Sequence, residues 1–484
     1  MAAPRECGRR GERAGPVKAA PPDAGSVSGD ALNGRPSPLH AGRAALPPLP
    51  EDAEGFIAVL RRRDFRYLWA GQAASQLADK FLMFTLLIFM YSITGRASYQ
   101  SALMIAYTLP SVLLSAPAGV YADRHDKRTL MIGTNVVRGL MVLLIPLAQF
   151  VPGVQHQAWP LIVITLLFSS AGQVFAPAEA ASIPSLVARN QITEATSLFM
   201  TTVILTLVLG VPAATLCIGF FGTQAPFYIA AGLFAIAALA LWRVGTSLRN
   251  VQEGAAPSPH VLRELREGAA ILRNSPALRL GLYQLGLALM VVFTIFALGP
   301  VYMVKVLGRS DQDTYIVLVP ATFGLIATAA VLGQRTKFSR ASVLVGAVLT
   351  ASAALIVMGV IPAVLRHVDA GGALIPLAVT MALVFGCALG ALLIPAFTVL
   401  QERTTPESRG RIFGGIFTVI NAAVAVPLLL AGIIADLFGV DRVIAALGVL
   451  LLVLAVVVRT LGWKRLAVLE AEQAALTVVD AEQP

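Results

Sequence analysis

The chain has 484 residues, 57% of them hydrophobic and only 13% charged, with a mean hydropathy of +0.76. A soluble domain carries roughly 45–50% apolar and about 25% charged residues, so an ordinary soluble enzyme is excluded. The net charge of +10 is concentrated in the N-terminal region and in alternate loops, which reads as membrane topology and not as a nucleic-acid surface.

Residues 1–50 hold nine of the 29 prolines and no apolar run long enough for a signal peptide, so residues 1–55 read as a disordered cytoplasmic tail. After Arg61-Arg62-Arg63 the first span runs from about Tyr67 to Thr94. Others are expected near 99–122, 129–150, 159–182, 192–218, 226–244, 278–304, 314–333, 341–362, 373–400, 412–437 and 443–461. Each is close to the roughly 20 residues that cross a bilayer as helix. The expected fold is an all-α membrane protein with twelve transmembrane helices in two six-helix pseudo-repeat bundles, 56–245 and 276–462, joined by a cytoplasmic linker, 246–275, and followed by a cytoplasmic tail, 463–484. Within the linker, Val261, Leu262, Leu265, Ala269 and Leu272 share one face of a helix suited to a membrane surface.

After the first span, in the loops and at the span ends, nineteen Lys and Arg fall on one side of this layout and five on the other, which puts both termini in the cytoplasm. Trp69, Trp159, Trp242 and Trp463 all fall at expected span ends, where an indole ring is buried and its N–H stays wet. The halves echo each other. Gly95-Arg96 recurs as Gly308-Arg309, Gly172-x4-Pro177-Ala178 as Gly390-x4-Pro395-Ala396, and Trp242-Arg243 as Trp463-Lys464. Such paired bundles with a midplane site are a transporter architecture.

Charge inside the spans is scarce and therefore informative. Asp79 shares a helix face with Gln72, Ser75 and Gln76, one to two turns earlier. It is the expected proton-coupling carboxylate; the competing reading is a structural ion pair with Arg138 or Lys80. Arg138 is its expected counter-charge, or else an anion-binding group or a tie between the first and third spans. Glu179 is expected to snorkel to cytoplasmic water, and Asp436 to be interfacial. Tyr283, Gln284, Met290 and Thr294 either line a cavity or pack. The five histidines lie in loops or the tail and form no metal cluster, and Cys7, Cys217 and Cys387 match no disulfide or zinc spacing. No G-x-x-x-x-G-K-[ST], G-x-S-x-G or H-E-x-x-H occurs, so ATP-driven transport and hydrolysis have no support and no cofactor is expected.

The strongest motif is Gly119-Val-Tyr-Ala-Asp123-Arg124-His-Asp126-Lys127-Arg128, between the second and third spans. Gly119 permits close helix approach, Asp123 ends a helix, and the basic residues hold the turn in the cytoplasm. The motif resembles the signature loop of the major facilitator superfamily. Asp64-Phe65-Arg66-Tyr67-Leu68-Trp69, Phe175-x-Pro177-Ala178 running into Ile183-Pro184-x-Leu186-Val187, and Leu400-Gln401-Glu402-Arg403 followed by Arg409-Gly410-Arg411-Ile412-Phe413-Gly414 are similar to the branch containing the enterobactin exporter and macrolide-efflux proteins. The resemblance implies proton-coupled export of a small amphipathic or hydrophobic compound from the plasma membrane. It implies alternating access, with a gate in which Asp123 meets the positive N-terminal end of the helix beginning near Arg411-Ile412. The bilayer, the substrate and protons are the expected partners of a monomer. Three features depart from the pattern: the second-half loop at Gly333 lacks the acid, the fifth span carries Gly210-Val-Pro212, and Lys80 stands beside Asp79. A lysophospholipid-type transporter or flippase, and a non-transporting receptor or scaffold, are the alternatives.

Overall fold

Hydrocarbon offers backbone groups no water, so a spanning segment must satisfy them internally. The computed structural model describes residues 55–148, 150–153, 157–245, 248, 276–334, 340–368, 371–402 and 423–457, and its regular elements are α-helices joined by short 3-10 turns. In chain order these are α1 Phe56–Arg61, α2 Arg63–Thr94, α3 Ala97–Arg124, α4 Lys127–Ala148, α5 Trp159–Gly172, α6 Phe175–Leu186, α7 Ile192–Phe221 and α8 Ala225–Trp242. There follow α9 Pro276–Lys305, α10 Tyr315–Gln334, α11 Arg340–His367, α12 Leu374–Glu402, α13 Ala423–Phe438 and α14 Val440–Val457. The N-terminal tail, the linker helix, the loop at 335–339, the stretch 403–422 and the C-terminal residues with Trp463 lie outside the described residues.

Ten of the described helices are long and apolar enough to cross a membrane, with α5 and α6 counted as one span. α3 makes an eleventh if its two parts, bent by 61° at Pro117, are taken together. The expected twelve therefore appear as ten to eleven. The bend follows from proline, which lacks an N–H and presses its ring against the preceding turn. Pro177 acts in the same way: α5 ends at Gly172 and α6 starts at Phe175, so the carbonyl of Gln173 is freed. Its sequence echo, Pro395, sits inside a continuous α12.

The helices pack in two groups, α2 to α8 and α9 to α12 with α14; α13 leads into α14 through Gly439 and is counted with the second. Within the first, α2 and α7 run side by side in one register: Arg62 Nε donates to Gln191 Oε1 (2.9 Å), Trp69 Nε1 to Thr202 Oγ1 (2.9 Å) and Gln72 Nε2 to the Phe199 carbonyl (3.4 Å). Trp69 thus departs from expectation, its N–H bonded inside the protein, whereas Trp159 and Trp242 are exposed at helix ends. Within the second group α10 and α12 cross in backbone contact. A Cβ on Gly324 would lie 2.8 Å from the Cys387 N, and one on Gly386 would overlap the backbone of Ala321. The repeat also shows in the turns after α2 and α9, where Gly95 and Gly308 both take φ +64°.

Arg61–Arg63, Arg124, Arg128 and Arg243 mark one end of the bundle, the basic end. A second core cluster sits there, built among the described residues only from the first group: Val59, Phe65, Leu68, Ala122, Met131 and Phe175 are among its members. The main core cluster continues across both groups. The two groups are therefore joined towards the opposite end.

Candidate functional site

α2 is the most buried of the spans, with 72% of its apolar window inside the protein. α3, α6, α7 and α8 of its own group surround it, with α9 of the other. Asp79, at the middle of this helix, is 8% exposed. Its Oδ1 accepts from Arg138 Nη2 of α4, and its Oδ2 from Lys80 Nζ (3.1 Å) and from the Tyr107 hydroxyl of α3. Three helices therefore meet at one carboxylate.

Arg138 meets two aromatic rings. Its guanidinium carbon lies 4.2 Å from the Phe168 ring centroid and 4.7 Å from that of Phe234, two cation–π contacts from rings that themselves meet edge-on. Gly172 leaves room for it, since a Cβ there would stand 3.4 Å from the guanidinium carbon. Gly210 does the same for Lys80: a Cβ on α7 would come within 2.8 Å of the lysine Cβ. Two cations and one acid leave the cluster with one positive charge in excess.

The structure joins Asp79, Arg138 and Lys80, and it separates the glutamines from them. Gln72 is buried against α7 with its Oε1 unpaired among the described residues. Gln76 is half-buried outside the cluster. Tyr107 is a member that the sequence reading does not single out. Its signal is position: it stands ten residues inside α3, far from the interfacial belt where a phenol is ordinary. Glu179 does not snorkel; it is 7% exposed and its Oε1 has no hydrogen-bond partner among the described residues. Gln284 ties α9 to α12 by donating to the Leu392 carbonyl (2.7 Å), and Thr294 donates to the Met290 carbonyl, so both pack; Tyr283 is exposed and Met290 half-exposed.

The motif loop divides its labour. Asp126 caps α4, accepting from the Thr129 N (2.9 Å) and Oγ1 (2.6 Å). Arg128 reaches the last carbonyls of α8, Leu241 (3.4 Å) and Trp242, where a cation complements the helix dipole. Lys127 is buried, while Asp123 and Arg124 are exposed. A Cβ on Gly119 would meet no described atom within 4 Å, so the expected close approach is not made among these residues. The expected partner of Asp123, near Arg411, lies outside the described residues.

At the opposite end the groups are latched. Asp436 of α13 accepts from the backbone N–H of Ala97 (2.7 Å) and of Ser98 (2.9 Å), capping α3 from the other group. Gly432 packs on Ser101, Tyr315 fills the space at Gly219 and stacks on Phe220, and Phe84 meets Phe296 edge-on at 4.8 Å. Asp436→Ala removes two charge-assisted bonds and is expected to raise maleimide labelling of a cysteine at the buried position 101 by about ten-fold. An unchanged labelling rate would show that the cap does not hold this end shut.

A model of the Major Facilitator Superfamily matches residues 68–387. The chain belongs to the Major Facilitator Superfamily. It is 24% identical over 401 residues to macrolide efflux protein A of Streptococcus pyogenes, covering 81% of this chain and 94% of that protein. It is likewise 24% identical over 379 residues to the multidrug efflux pump Tap of Mycolicibacterium fortuitum, covering 75% and 87%. Among solved structures, this major facilitator shares its fold with the nucleoside transporter NupG (TM-score 0.60, 13% identity, 81% and 97% covered). It shares it also with a bacterial homolog of the human lysosomal transporter Spinster (TM-score 0.62, 12% identity, 81% and 94% covered). This is a multi-pass membrane protein of a secondary-transporter family, distantly related to drug efflux pumps, and not an enzyme.

Proposed function

We propose that this major facilitator exports a small amphipathic or hydrophobic compound in exchange for protons. Its working form is a monomer of twelve spans in two six-helix bundles, 56–245 and 276–462, in the plasma membrane with the basic end and both termini cytoplasmic. The observation that carries the reading is Asp79: an acid at the centre of the most buried span, bonded to side chains of two neighbouring helices. A proton delivered to Asp79 weakens its hold on Arg138, Lys80 and Tyr107 together, so α2, α3 and α4 are freed to shift at once. The latch at Asp436 closes one side in the state described. Contact of Asp123 with the helix beginning near Arg411 closes the other, with Gly119, Arg124, Lys127 and Arg128 shaping that gate. Relatives named as macrolide and multidrug efflux proteins support the direction of transport.

The test is movement of amphipathic dyes by the purified full chain in proteoliposomes under an imposed pH gradient. Gradient-driven movement that is lost in Asp79→Asn is expected. Its absence with a correctly folded protein overturns the transport reading, and its persistence in Asp79→Asn removes the coupling role. Unchanged transport and unchanged cysteine accessibility in Asp123→Asn would sink the gate.

A further inference from the structure

The charge of the central cluster is not balanced. Asp79 is engaged on both oxygens, by Arg138 on one and by Lys80 and Tyr107 on the other. Two cations therefore share one acid. Glu179, the other buried acid among the described residues of these central helices, forms no ion pair with either cation. It lies seven residues past Gly172, the residue that packs on Arg138, or about 10 Å further along the span at 1.5 Å per residue. An uncompensated charge in a low-dielectric site is costly and calls for a partner.

The two cations differ in what they can reach. Arg138 is enclosed by Phe168, Phe234 and Gly172. Lys80 keeps 19% of its side chain accessible and spends on Asp79 one of the three N–H donors of an ammonium. It ends a half-buried stripe on α2, Ala70, Ala73, Leu77 and Lys80, spaced to share one helix face. α7 packs on one edge of this face, its Gly210 against Leu77 and Lys80, and the four side chains stay half-buried where α9 of the other group also borders α2. One turn further, Phe84 is fully buried against Phe296 of the other group and roofs this face.

We propose that Lys80 is a substrate-binding residue and that the compounds carried are amphiphiles bearing an anionic group: a carboxylate, phosphate or phenolate that docks on its ammonium below the Phe84–Phe296 roof. The proposal rests on the transporter reading and narrows its substrate class. The anionic group supplies the missing charge, and the apolar body lies along Ala73 and Leu77. Asp79, itself fixed by Arg138, holds the ammonium in place, and neither contacts the substrate.

Binding is measured without any gradient, so this test is independent of coupling. The full chain in phosphatidylcholine nanodiscs is titrated with two xanthene dyes of similar size, anionic fluorescein and cationic rhodamine 6G. Fluorescein is expected to bind at least about ten times more tightly, because a charge-assisted bond in a partly buried site is worth about a decade or more of affinity. Lys80→Gln is expected to erase that preference while Lys80→Arg keeps it, both variants eluting as the wild type does on size exclusion. Phosphatidylglycerol added to the nanodiscs competes if the anion comes from a lipid headgroup, and leaves dye binding unchanged if it comes from a soluble substrate. Equal or tighter binding of rhodamine 6G, no binding of fluorescein, or fluorescein affinity unchanged in Lys80→Gln overturns the proposal. Loss of transport with fluorescein binding intact counts instead against the transport reading.

Discussion

Asp79→Asn is expected to destabilise the protein by about 3–5 kcal/mol, the usual cost of removing one partner from a buried ion pair. The variant leaves Lys80 and Arg138 beside each other with no anion between them, and it turns a cluster of charge +1 into one of +2. Lys80→Gln takes the opposite path. It leaves a neutral Asp79–Arg138 pair that still rests against Phe168 and Phe234. Its effect on stability is expected to be small, or even favourable. The measurement is the thermal midpoint of detergent-solubilised protein. Equal losses in the two variants would show that the sign of the charge plays no part and that each side chain matters only as packing.

Gly386→Val is expected to prevent folded protein from accumulating. In a bilayer, helices gain little from excluding lipid from an apolar face, so close backbone contact supplies much of their association. At the α10–α12 crossing that contact is complete: the Gly386 Cβ position is occupied by the backbone of Ala321, and the Gly324 position faces the Cys387 N at 2.8 Å. Backbone cannot rotate aside as a side chain can. The helices would have to separate, with loss of the bond from Thr328 Oγ1 to the Cys387 carbonyl (3.1 Å). Overpacking typically costs about 1–3 kcal/mol and more where backbone must move. Gly232→Ala is the control. It sits on the exposed side of α8 with nothing within 4 Å, and alanine favours helix over glycine by about 1 kcal/mol. Its fluorescence size-exclusion profile is expected to match or exceed the wild type, whereas a normal profile for Gly386→Val would refute the packing argument.

Composition and charge placement are enough to read a helical membrane protein, because the bilayer admits few solutions and each leaves long apolar runs in the sequence. The Asp79–Arg138 pair is also legible, since charges in apolar runs have few available partners. What sequence does not supply is facing. Gln72 and Asp79 are seven residues apart on one helix, yet α7 claims the first and α3 and α4 the second. Glu179 stands close enough to the end of its span for water to be in reach. The break at Gln173–Val174 and the packing of Phe175, Ala178 and Ile183 bury it instead. The aromatic rings around Arg138 come from spans far apart in sequence. No local pattern announces them.

α3 touches three places that have to move in concert. Its first residues are clasped by Asp436 of the other group, Tyr107 reaches Asp79 from its middle, and Asp123 sits at its far end. Ala97 and Tyr107 are ten residues apart, about 15 Å of helix, on the segment Ala97–Ser115 that precedes the bend. As far as Pro110 it is uninterrupted helix. A pull that frees Ala97 from Asp436 displaces Tyr107 by nearly the same amount and loosens its grip on Asp79. Beyond Pro117 the helix is hinged, so the stretch bearing Asp123 can swing while the middle stays in place. In the proposed cycle one helix then acts as a lever with a long arm and a jointed short one, the proline at the joint setting which of the two ends moves with the carboxylate.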